Sequence, residues 1–138
     1  MGLPELLALD GEYANSFSGK HPMEIVRKQL DAEQVLRAKD LPSAEPDRVV
    51  TVAGLVITRQ RPEAANGAVF MTLEDETGQV DLILSAGAFA RFQTVVRLSS
   101  ALVARGRLLA DGRARNIAVH ALARLDLHSV HVASHDFH

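Results

Sequence analysis

Apolar and polar residues alternate along the chain after Asp47, and this pattern limits the possible folds more than any other feature of the sequence. Successive side chains of a strand point to opposite faces, so the alternation predicts strands with one buried face. The first predicted strand lies in VVTVAGLVITRQR, and its apolar residues are Val50, Val52, Leu55 and Ile57. Gly54 within it predicts a bulge or bend, of the kind that lets one strand serve both sides of a closed sheet.

Further strands and one helix follow. VFMTLED and QVDLILS are predicted to form a hairpin across Glu76, Thr77 and Gly78, because the glycine can supply the positive φ of the turn. A second hairpin is predicted in ALVARGRLLADGRARNIAVHALARLD around the turn Asp111-Gly112. Between the hairpins, AGAFARFQTVVR predicts a short helix whose apolar stripe consists of Phe89, Phe92, Val95 and Val96.

The predicted order β-β-β-α-β-β, with five strands and a helix between the third and fourth, is the arrangement of the OB fold. We therefore expect a mainly β protein, a five-stranded OB-fold barrel preceded by a short helical segment. Another small barrel or a half-open sandwich is the main alternative on periodicity alone. OB folds bind oligonucleotides on the face of strands 2 and 3 and in the loops L12 and L45, which join strands 1 to 2 and 4 to 5.

The sequence predicts three parts. Residues 1–47 form an N-terminal arm and helical linker, 48–126 the OB-fold nucleic-acid-binding domain, and 127–138 a His-rich C-terminal tail. Within the first part, residues 1–20 show little periodicity and are expected to be an irregular arm. The apolar spacing from His21, opened by Pro22, predicts one or two short helices, and Pro42 and Pro46 then predict a linker.

One face of the first hairpin is predicted to point away from the core. The inner residues are Val69, Met71, Leu73, Val80, Leu82 and Leu84, and the outer ones are Phe70, Thr72, Glu74, Asp81, Ile83 and Ser85. Phe70 is then a large aromatic on a partly polar face, where it can stack a base with about 1–3 kcal/mol. The alternative is that the N-terminal arm or a partner chain covers it.

Arginines are predicted to surround that face. Arg59 and Arg61 lie at the mouth of L12, Arg113 and Arg115 beside L45, and Arg105 and Arg107 along the fourth strand. Such side chains can follow a phosphate backbone, although arginine on strands also protects sheet edges. The predicted nucleic-acid-binding residues are Arg59, Arg61, Phe70, Thr72, Asp81, Ile83, Arg105, Arg107, Arg113 and Arg115.

The charge distribution is compatible with this interpretation. The net charge is −2, but residues 1–47 hold 5 Lys or Arg against 9 Asp or Glu, whereas residues 48–138 hold 10 against 8. All ten cations of the second segment are arginine, whose planar fork binds phosphate bidentately and stacks on bases. A genome rich in Arg codons explains the same composition equally well.

The run VTVAGLVITRQRPEAANGAVFMTLEDETGQVDLIL, with SGKHPM before it and SHDFH at the end, resembles the C-terminal part of the bacterial C-family DNA polymerase III alpha subunit. The resemblance covers residues 17–138 and is greatest to the error-prone, damage-tolerance paralogue. In that family a Gly-x-His-Pro segment leads through a helical linker into an OB domain that contacts single-stranded template DNA. The resemblance implies a non-catalytic single-stranded-DNA-binding module, part of or related to an error-prone polymerase of DNA repair and translesion synthesis.

Two other functions stay open. The pattern FMTLEDETGQVDLIL is also similar to the anticodon-binding domains of lysyl- and aspartyl-tRNA synthetases, in which the aromatic matching Phe70 stacks on an anticodon base. That likeness implies an RNA- or tRNA-binding module, although Asp81 stands where the aspartyl enzymes have a base-reading glutamine. A protein-interaction adaptor that docks a polymerase or mutasome partner is the other alternative.

Catalysis and metal binding are not expected. No polymerase catalytic domain fits in 138 residues, so the chain is predicted not to be an enzyme and to need no cofactor. Glu74, Asp75 and Glu76 cluster at a turn, where acids make local hydrogen bonds more often than they bind magnesium. His128, His131, His135 and His138 would line one helix face and bind zinc or nickel, but the small and β-branched residues around them favour a last strand and a loose tail.

The compartment follows from what the sequence lacks. There is no cysteine for a disulfide or a thiolate metal site, no signal peptide and no apolar run long enough to span a membrane. A cytoplasmic protein is therefore expected.

Overall fold

The structure, a computed structural model, describes residues 21–127 and 131–132. The helices are α1 (Pro22–Ala32), a first 3₁₀ helix (Ala38–Ser43), a second 3₁₀ helix (Glu63–Ala65) and α2 (Ala86–Leu98). The strands are β1 (Val49–Gln60), β2 (Val69–Asp75), β3 (Gly78–Leu84), β4 (Ala101–Asp111), β5 (Ala114–Asp126) and β6 (His131–Val132). No helix in this part of the chain is long and apolar enough to cross a membrane.

Strands β1 to β5 form a closed barrel. Their order is β3-β2-β1-β4-β5, and a parallel pairing between β3 and β5 closes the sheet. Strand β6 extends it by pairing with the end of β5 at Leu125 and Asp126. With helix α2 between β3 and β4, this architecture confirms the predicted OB-fold barrel with a short helix before it.

Strand β1 changes partner halfway along its length. Residues Val49–Leu55 pair with β4, and residues Leu55–Gln60 pair with β2. Gly54 lies at the change, where a Cβ would approach the carbonyl oxygen of Glu74 to 2.8 Å, so only glycine fits. Gly54 therefore has the role predicted for it, since it lets one strand serve both sides of the closed sheet.

The bulge predicted at the same glycine lies further along the strand. The β1–β2 register shifts between Val56 and Thr58, so Ile57 is the extra residue, and its side chain is exposed instead of joining the core. A one-residue shift reverses which face each side chain takes. Thr58 and Gln60 consequently pair with the outer residues Thr72 and Phe70, while Arg59 pairs with the inner residue Met71.

The interior of the barrel contains the apolar residues that the alternation predicted. The inward side chains of the hairpin are Val69, Met71, Leu73, Val80, Leu82 and Leu84, and all are buried. Helix α2 closes one end with Phe92 and Val96, as predicted from its apolar stripe. Ser85 caps the start of the helix, since its Oγ accepts a hydrogen bond from the amide of Ala88 at 3.1 Å.

Helix α1 packs on the outside of the barrel and forms a second apolar cluster there. Met23, Val26 and Leu30 of the helix are buried against β1, β4 and β5, where Ala53 and Val103 belong to the same cluster. Burial of side chains of this size contributes about 1.5–3 kcal/mol each. The predicted helix is confirmed, and it begins with Pro22 in its first turn and His21 as cap, whose Nδ1 accepts from the amide of Met23 at 3.0 Å.

The segment after α1 packs on the barrel as well. Pro42, predicted to open a linker, lies inside the first 3₁₀ helix, and Ala38 and Leu41 of that helix join the barrel core. Proline fits because a short 3₁₀ helix needs few amide donors. The domain boundaries at residues 47 and 126 stay a prediction.

Arg27 connects α1 to the turn between β2 and β3. Its guanidinium is buried and donates to both carboxylate oxygens of Glu76, at 2.7 and 3.0 Å, and lies 3.5 Å from Asp75. Asp75 also accepts from the amides of Ala38, at 2.7 Å, and Thr77, at 2.7 Å. The acidic cluster at this turn therefore binds protein donors, as expected from its position.

The protonation of Glu76 depends on these contacts. Burial by itself would raise the pKa of the Glu76 carboxyl, but the hydrogen bonds from Arg27 and the nearby charges of Arg27 and Arg37 lower the pKa below its usual value. The charged carboxylate is thus the form that the folded protein stabilises.

We expect Arg27→Met to lower the free energy of unfolding by about 3–5 kcal/mol, because the side chains of Asp75 and Glu76 would lose their buried partner. Urea unfolding followed by circular dichroism at pH 7 measures the change. Lys28→Met is the matched control, since Lys28 is exposed in the same helix, and its effect should stay within about 0.5 kcal/mol. Equal losses in the two variants would contradict the assigned role of Arg27.

Glu76→Gln should show a pH-dependent loss of stability. A lowered carboxyl pKa in the folded state stabilises the protein above the unfolded pKa of about 4.3, and this contribution disappears as the pH falls through the folded value. The difference in unfolding free energy between the wild type and the variant should therefore be greatest at neutral pH and shrink below about pH 4. Urea titrations from pH 7 to pH 3 measure it, and a difference independent of pH would contradict the ion pair.

Candidate nucleic-acid interface

A surface depression of about 440 Å³ lies on the outer face of strands β1, β2 and β3, next to β5. It is lined by Thr58, Gln60, Phe70, Met71, Thr72, Asp81, Leu82, Ile83 and Asn116. We call it the Phe70 depression.

Phe70 lies at the centre of a cross-strand row in this depression. It pairs with Gln60 of β1 on one side and with Ile83 of β3 on the other. Its side chain is 36% exposed, which leaves one large aromatic surface open to a ligand. The outward orientation predicted for Phe70 is confirmed, whereas cover by the N-terminal arm would involve residues 1–20, which lie outside the described residues.

Polar side chains form the next row of the depression. The hydroxyl of Thr72 donates a hydrogen bond to Asp81 Oδ1 at 2.9 Å. Asp81 is exposed and pairs across β3–β5 with Asn116. The carboxylate can accept from the amino group of a base, and the asparagine amide can both donate and accept. The row therefore offers hydrogen bonds to the edge of a base that is stacked on Phe70.

A second depression, of about 270 Å³, lies between the end of β1 and helix α2. It is lined by Arg59, Gln60, Arg61, Val69, Phe89, Gln93, Val96 and Arg97. We call it the arginine pocket.

The two arginines of β1 and L12 have different roles in the arginine pocket. Arg59 reaches toward α2 and donates to the carbonyl oxygens of Val96 and Ser99, both at 2.7 Å, so it caps the end of that helix. Partial burial lowers the pKa of Arg59 from its usual value. Arg61 is exposed, and its guanidinium carbon lies 5.0 Å from the centre of the Phe89 ring.

The other predicted arginines lie outside both depressions. Arg105 and Arg107 pair with Thr51 and Val49 at the start of β1, whereas Phe70 pairs at its end, so the structure does not bring them beside the aromatic. The cause is the division of β1, which places β4 and β2 along opposite halves of the strand. Among the described residues, Arg105 and Arg107 have no hydrogen-bond or ion-pair partner for their side chains.

The turn between β4 and β5 carries the remaining two arginines. Arg115 donates to the carbonyl oxygens of Gly112, at 3.0 Å, and Pro42, at 3.3 Å, which fastens this turn to the first 3₁₀ helix. Arg113 is exposed, and its side chain has no hydrogen bond or ion pair within residues 21–127. The assignment of all ten predicted site residues to nucleic acid stays a prediction.

The histidine tail belongs mostly to the part of the chain that is not described. His128, His135 and His138 lie outside the described residues, and the backbone of His131 belongs to β6. Within the described ranges, no group of three or more His, Cys, Asp or Glu side chains is arranged to hold a metal ion.

Several lining residues were not predicted from the sequence. Thr58 and Gln60 face outward only because of the bulge at Ile57, and Asn116 joins the face only through the β3–β5 pairing. Gln93 and Arg97 of α2 contribute to the arginine pocket because the helix packs against the end of β1. The sequence contained one signal for these two residues: they are four positions apart, which places them on the same polar side of the predicted helix.

A closed five-stranded barrel with a helix before its fourth strand and an open aromatic on its second defines an OB-fold domain of the nucleic-acid-binding kind. Residues 50–123 match a family model described as OB-fold nucleic acid binding domain. The chain belongs to this family.

The curated relatives agree with the predicted resemblance. The chain is 45% identical over 120 residues to an error-prone DNA polymerase of Anaeromyxobacter dehalogenans, a match that covers 86% of the chain and 10% of the relative. It is 39% identical over 134 residues to an error-prone DNA polymerase of Cutibacterium acnes, with 96% and 12% covered. The resemblance to error-prone polymerases is confirmed, and the chain spans about a tenth of the length of these relatives.

Solved structures share the fold. The asparaginyl-tRNA synthetase from Pyrococcus horikoshii, complexed with asparaginyl-adenylate, matches with a TM-score of 0.56 and 21% identity over 67% of this chain and 22% of the enzyme. OBody AM1L10 bound to hen egg-white lysozyme matches with a TM-score of 0.55 and 18% identity, covering 67% of this chain and 92% of the OBody chain. At these identities the matches support the fold alone.

Arg59 and Arg61 should differ in their effect on stability. Arg59→Ala removes two charged hydrogen bonds to α2, so we expect the free energy of unfolding to fall by about 1.5–3 kcal/mol. Arg61→Ala removes one exposed contact with an aromatic ring and should cost about 0.5–1 kcal/mol. Urea unfolding of both variants checks the ranking, and a larger loss for Arg61 would contradict the role given to Arg59.

Proposed function

We propose that this chain is a single-stranded-DNA-binding module of an error-prone DNA polymerase, and that it binds DNA without taking part in catalysis. The observation that carries the proposal is the Phe70 depression, an open aromatic surrounded by hydrogen-bonding side chains on the oligonucleotide face of an OB barrel. The preference for single strands, the choice of DNA and the non-catalytic role each have separate support.

A single strand fits the depression better than a duplex. A base can stack on Phe70 only when one of its own faces is free, and in a duplex both faces are already stacked. The groups beside the ring, on Gln60, Asp81 and Asn116, can bond to the Watson–Crick edge of a stacked base only where that edge is not paired with another strand. Both requirements select unpaired nucleotides.

DNA is the proposed nucleic acid because of the relatives. Those that match over 86% of the chain at 45% identity are named error-prone DNA polymerase. The asparaginyl-tRNA synthetase matches at 21% identity, which supports the fold alone. A role in DNA repair and translesion synthesis follows if the module serves such a polymerase, and the cytoplasm is then its expected compartment.

The described residues favour binding over catalysis. The acids of the β2–β3 hairpin make contacts within the protein: Glu74 with His21 at 3.1 Å, Asp81 with Thr72, and Asp75 and Glu76 with Arg27. The chain also corresponds to about a tenth of its polymerase relatives. Its proposed contribution is to hold the template strand while other parts of the polymerase carry out the reaction.

Binding by this module alone should be weak. Phe70 is the one aromatic that lines the depression among the described residues. With one stacked base and a few phosphate contacts we expect a dissociation constant on the order of micromolar to hundreds of micromolar, weakening with salt. Such an affinity is sufficient when the module is tethered to a polymerase that raises its effective concentration on the template.

Fluorescence anisotropy with labelled oligo-dT and oligo-rU at about 50 and 200 mM salt tests the proposal. Phe70→Ala should weaken binding to oligo-dT by about 5- to 150-fold, since it removes one stacked base. Val49→Ala is the matched control, because Val49 is another exposed apolar residue at the far end of β1, and it should leave binding unchanged.

Three results would contradict parts of the proposal. A preference for oligo-rU would favour the RNA-binding alternative, because contacts to the 2′-hydroxyl distinguish the two. Equal effects of Phe70→Ala and Val49→Ala would remove the Phe70 depression as the site. No binding to either oligonucleotide at the lower salt concentration would leave the protein-interaction adaptor as the better hypothesis.

A further inference from the structure

We propose that the arginine pocket is a phosphate site, which holds the backbone phosphate next to the nucleotide stacked on Phe70 through Arg61 and Arg97. This inference rests on the proposed function and adds a division of the interface into one place for a base and another for phosphate. The phosphate site also gives Arg97 of helix α2 a role in the interface, which the proposed function alone does not.

The two depressions have opposite chemistry. The arginine pocket is lined by three guanidinium groups and no acid, among the residues that the structure describes. The Phe70 depression is lined by one acid, Asp81, and no cation in the same part of the chain. The arginine pocket attracts a phosphate, whereas the acid in the Phe70 depression repels it. The Phe70 depression can instead accommodate a neutral base.

Gln60 joins the two depressions because it lines both. It pairs directly across from Phe70, on a neighbouring strand about 4.8 Å away, and it is flanked in sequence by Arg59 and Arg61. A nucleotide whose base lies on Phe70 therefore has the pocket beside it, within reach of its own backbone. Because the two depressions are adjacent, one nucleic-acid strand that crosses Gln60 can occupy both of them.

The three arginines differ in how free they are. Arg59 uses two of its donor nitrogens on the carbonyl oxygens of Val96 and Ser99, so its part is to position the pocket. Arg61 and Arg97 are exposed, and neither makes a hydrogen bond or ion pair with a described residue. The guanidinium groups of both residues are therefore free to bind a phosphate with two parallel hydrogen bonds.

Phe89 holds the guanidinium group of Arg61 in position. The ring lies 5.0 Å from the guanidinium carbon, and a guanidinium stacked in this way still has its edge nitrogens free for an anion. A side chain held in position loses less entropy on binding than a free one. The stacked arginine is thus prepared for a phosphate.

The double variant Arg61→Gln/Arg97→Gln tests the site by the salt dependence of oligo-dT binding. The control Arg48→Gln/Arg124→Gln removes the same charge from exposed residues that lie outside both depressions and outside the predicted interface. Affinity is measured by anisotropy from about 50 to 200 mM salt. Each phosphate contact that a variant no longer makes should reduce the steepness of the slope of log K against log salt by about 0.7.

The outcomes separate this inference from the proposed function. We expect a shallower slope and about tenfold weaker binding at the lower salt concentration for the pocket variant, with a much smaller change for the control. Equal changes in the two variants would overturn the phosphate site, while weaker binding by Phe70→Ala would still support the proposed function. If the unmodified chain binds no oligo-dT at the lower salt concentration, both the phosphate site and the proposed function are contradicted.

Discussion

Strand β1 pairs along its first half with β4 and along its second half with β2, and the closed barrel depends on this division. Without it, β4 and β2 would compete for the same edge, and β5 would not meet β3 to close the sheet. Gly54 makes the change of partner possible, because only a residue without a Cβ can approach the backbone of Glu74 so closely. The same division separates the arginines of β4 from the aromatic of β2.

The bulge at Ile57 has a second consequence, which concerns the interface. Because the register shifts there, Gln60 faces the solvent beside Phe70 and Arg59 faces the end of α2. One inserted residue thus produces the link between the two depressions and also the cap that fixes one wall of the arginine pocket. Bulges are common next to functional sites because they redirect side chains in this way.

The alternation of apolar residues was sufficient to predict the succession of elements along the chain, the inward residues of the β2–β3 hairpin and the outward position of Phe70, since a period of two leaves only one buried face. It was not sufficient to locate the bulge, because Ile57 is an apolar β-branched residue that fits the pattern of an inward position. The buried role of Arg27 could not be predicted either, because its partners Asp75 and Glu76 are distant in sequence. Likewise, nothing local distinguishes Arg59 from Arg61, whose difference arises from the packing of α2.

The contacts between the start of α1 and the end of β2 also form a mechanical anchor. His21 holds Glu74 and Arg27 holds Glu76, so both contacts reach the end of the hairpin that is furthest from Phe70. A tensile load entering the chain at His21 would be carried by these two side-chain contacts and by the packed helix before it reached the strands. The strands that carry Phe70 would then lie behind this anchor rather than in the direct line of the load.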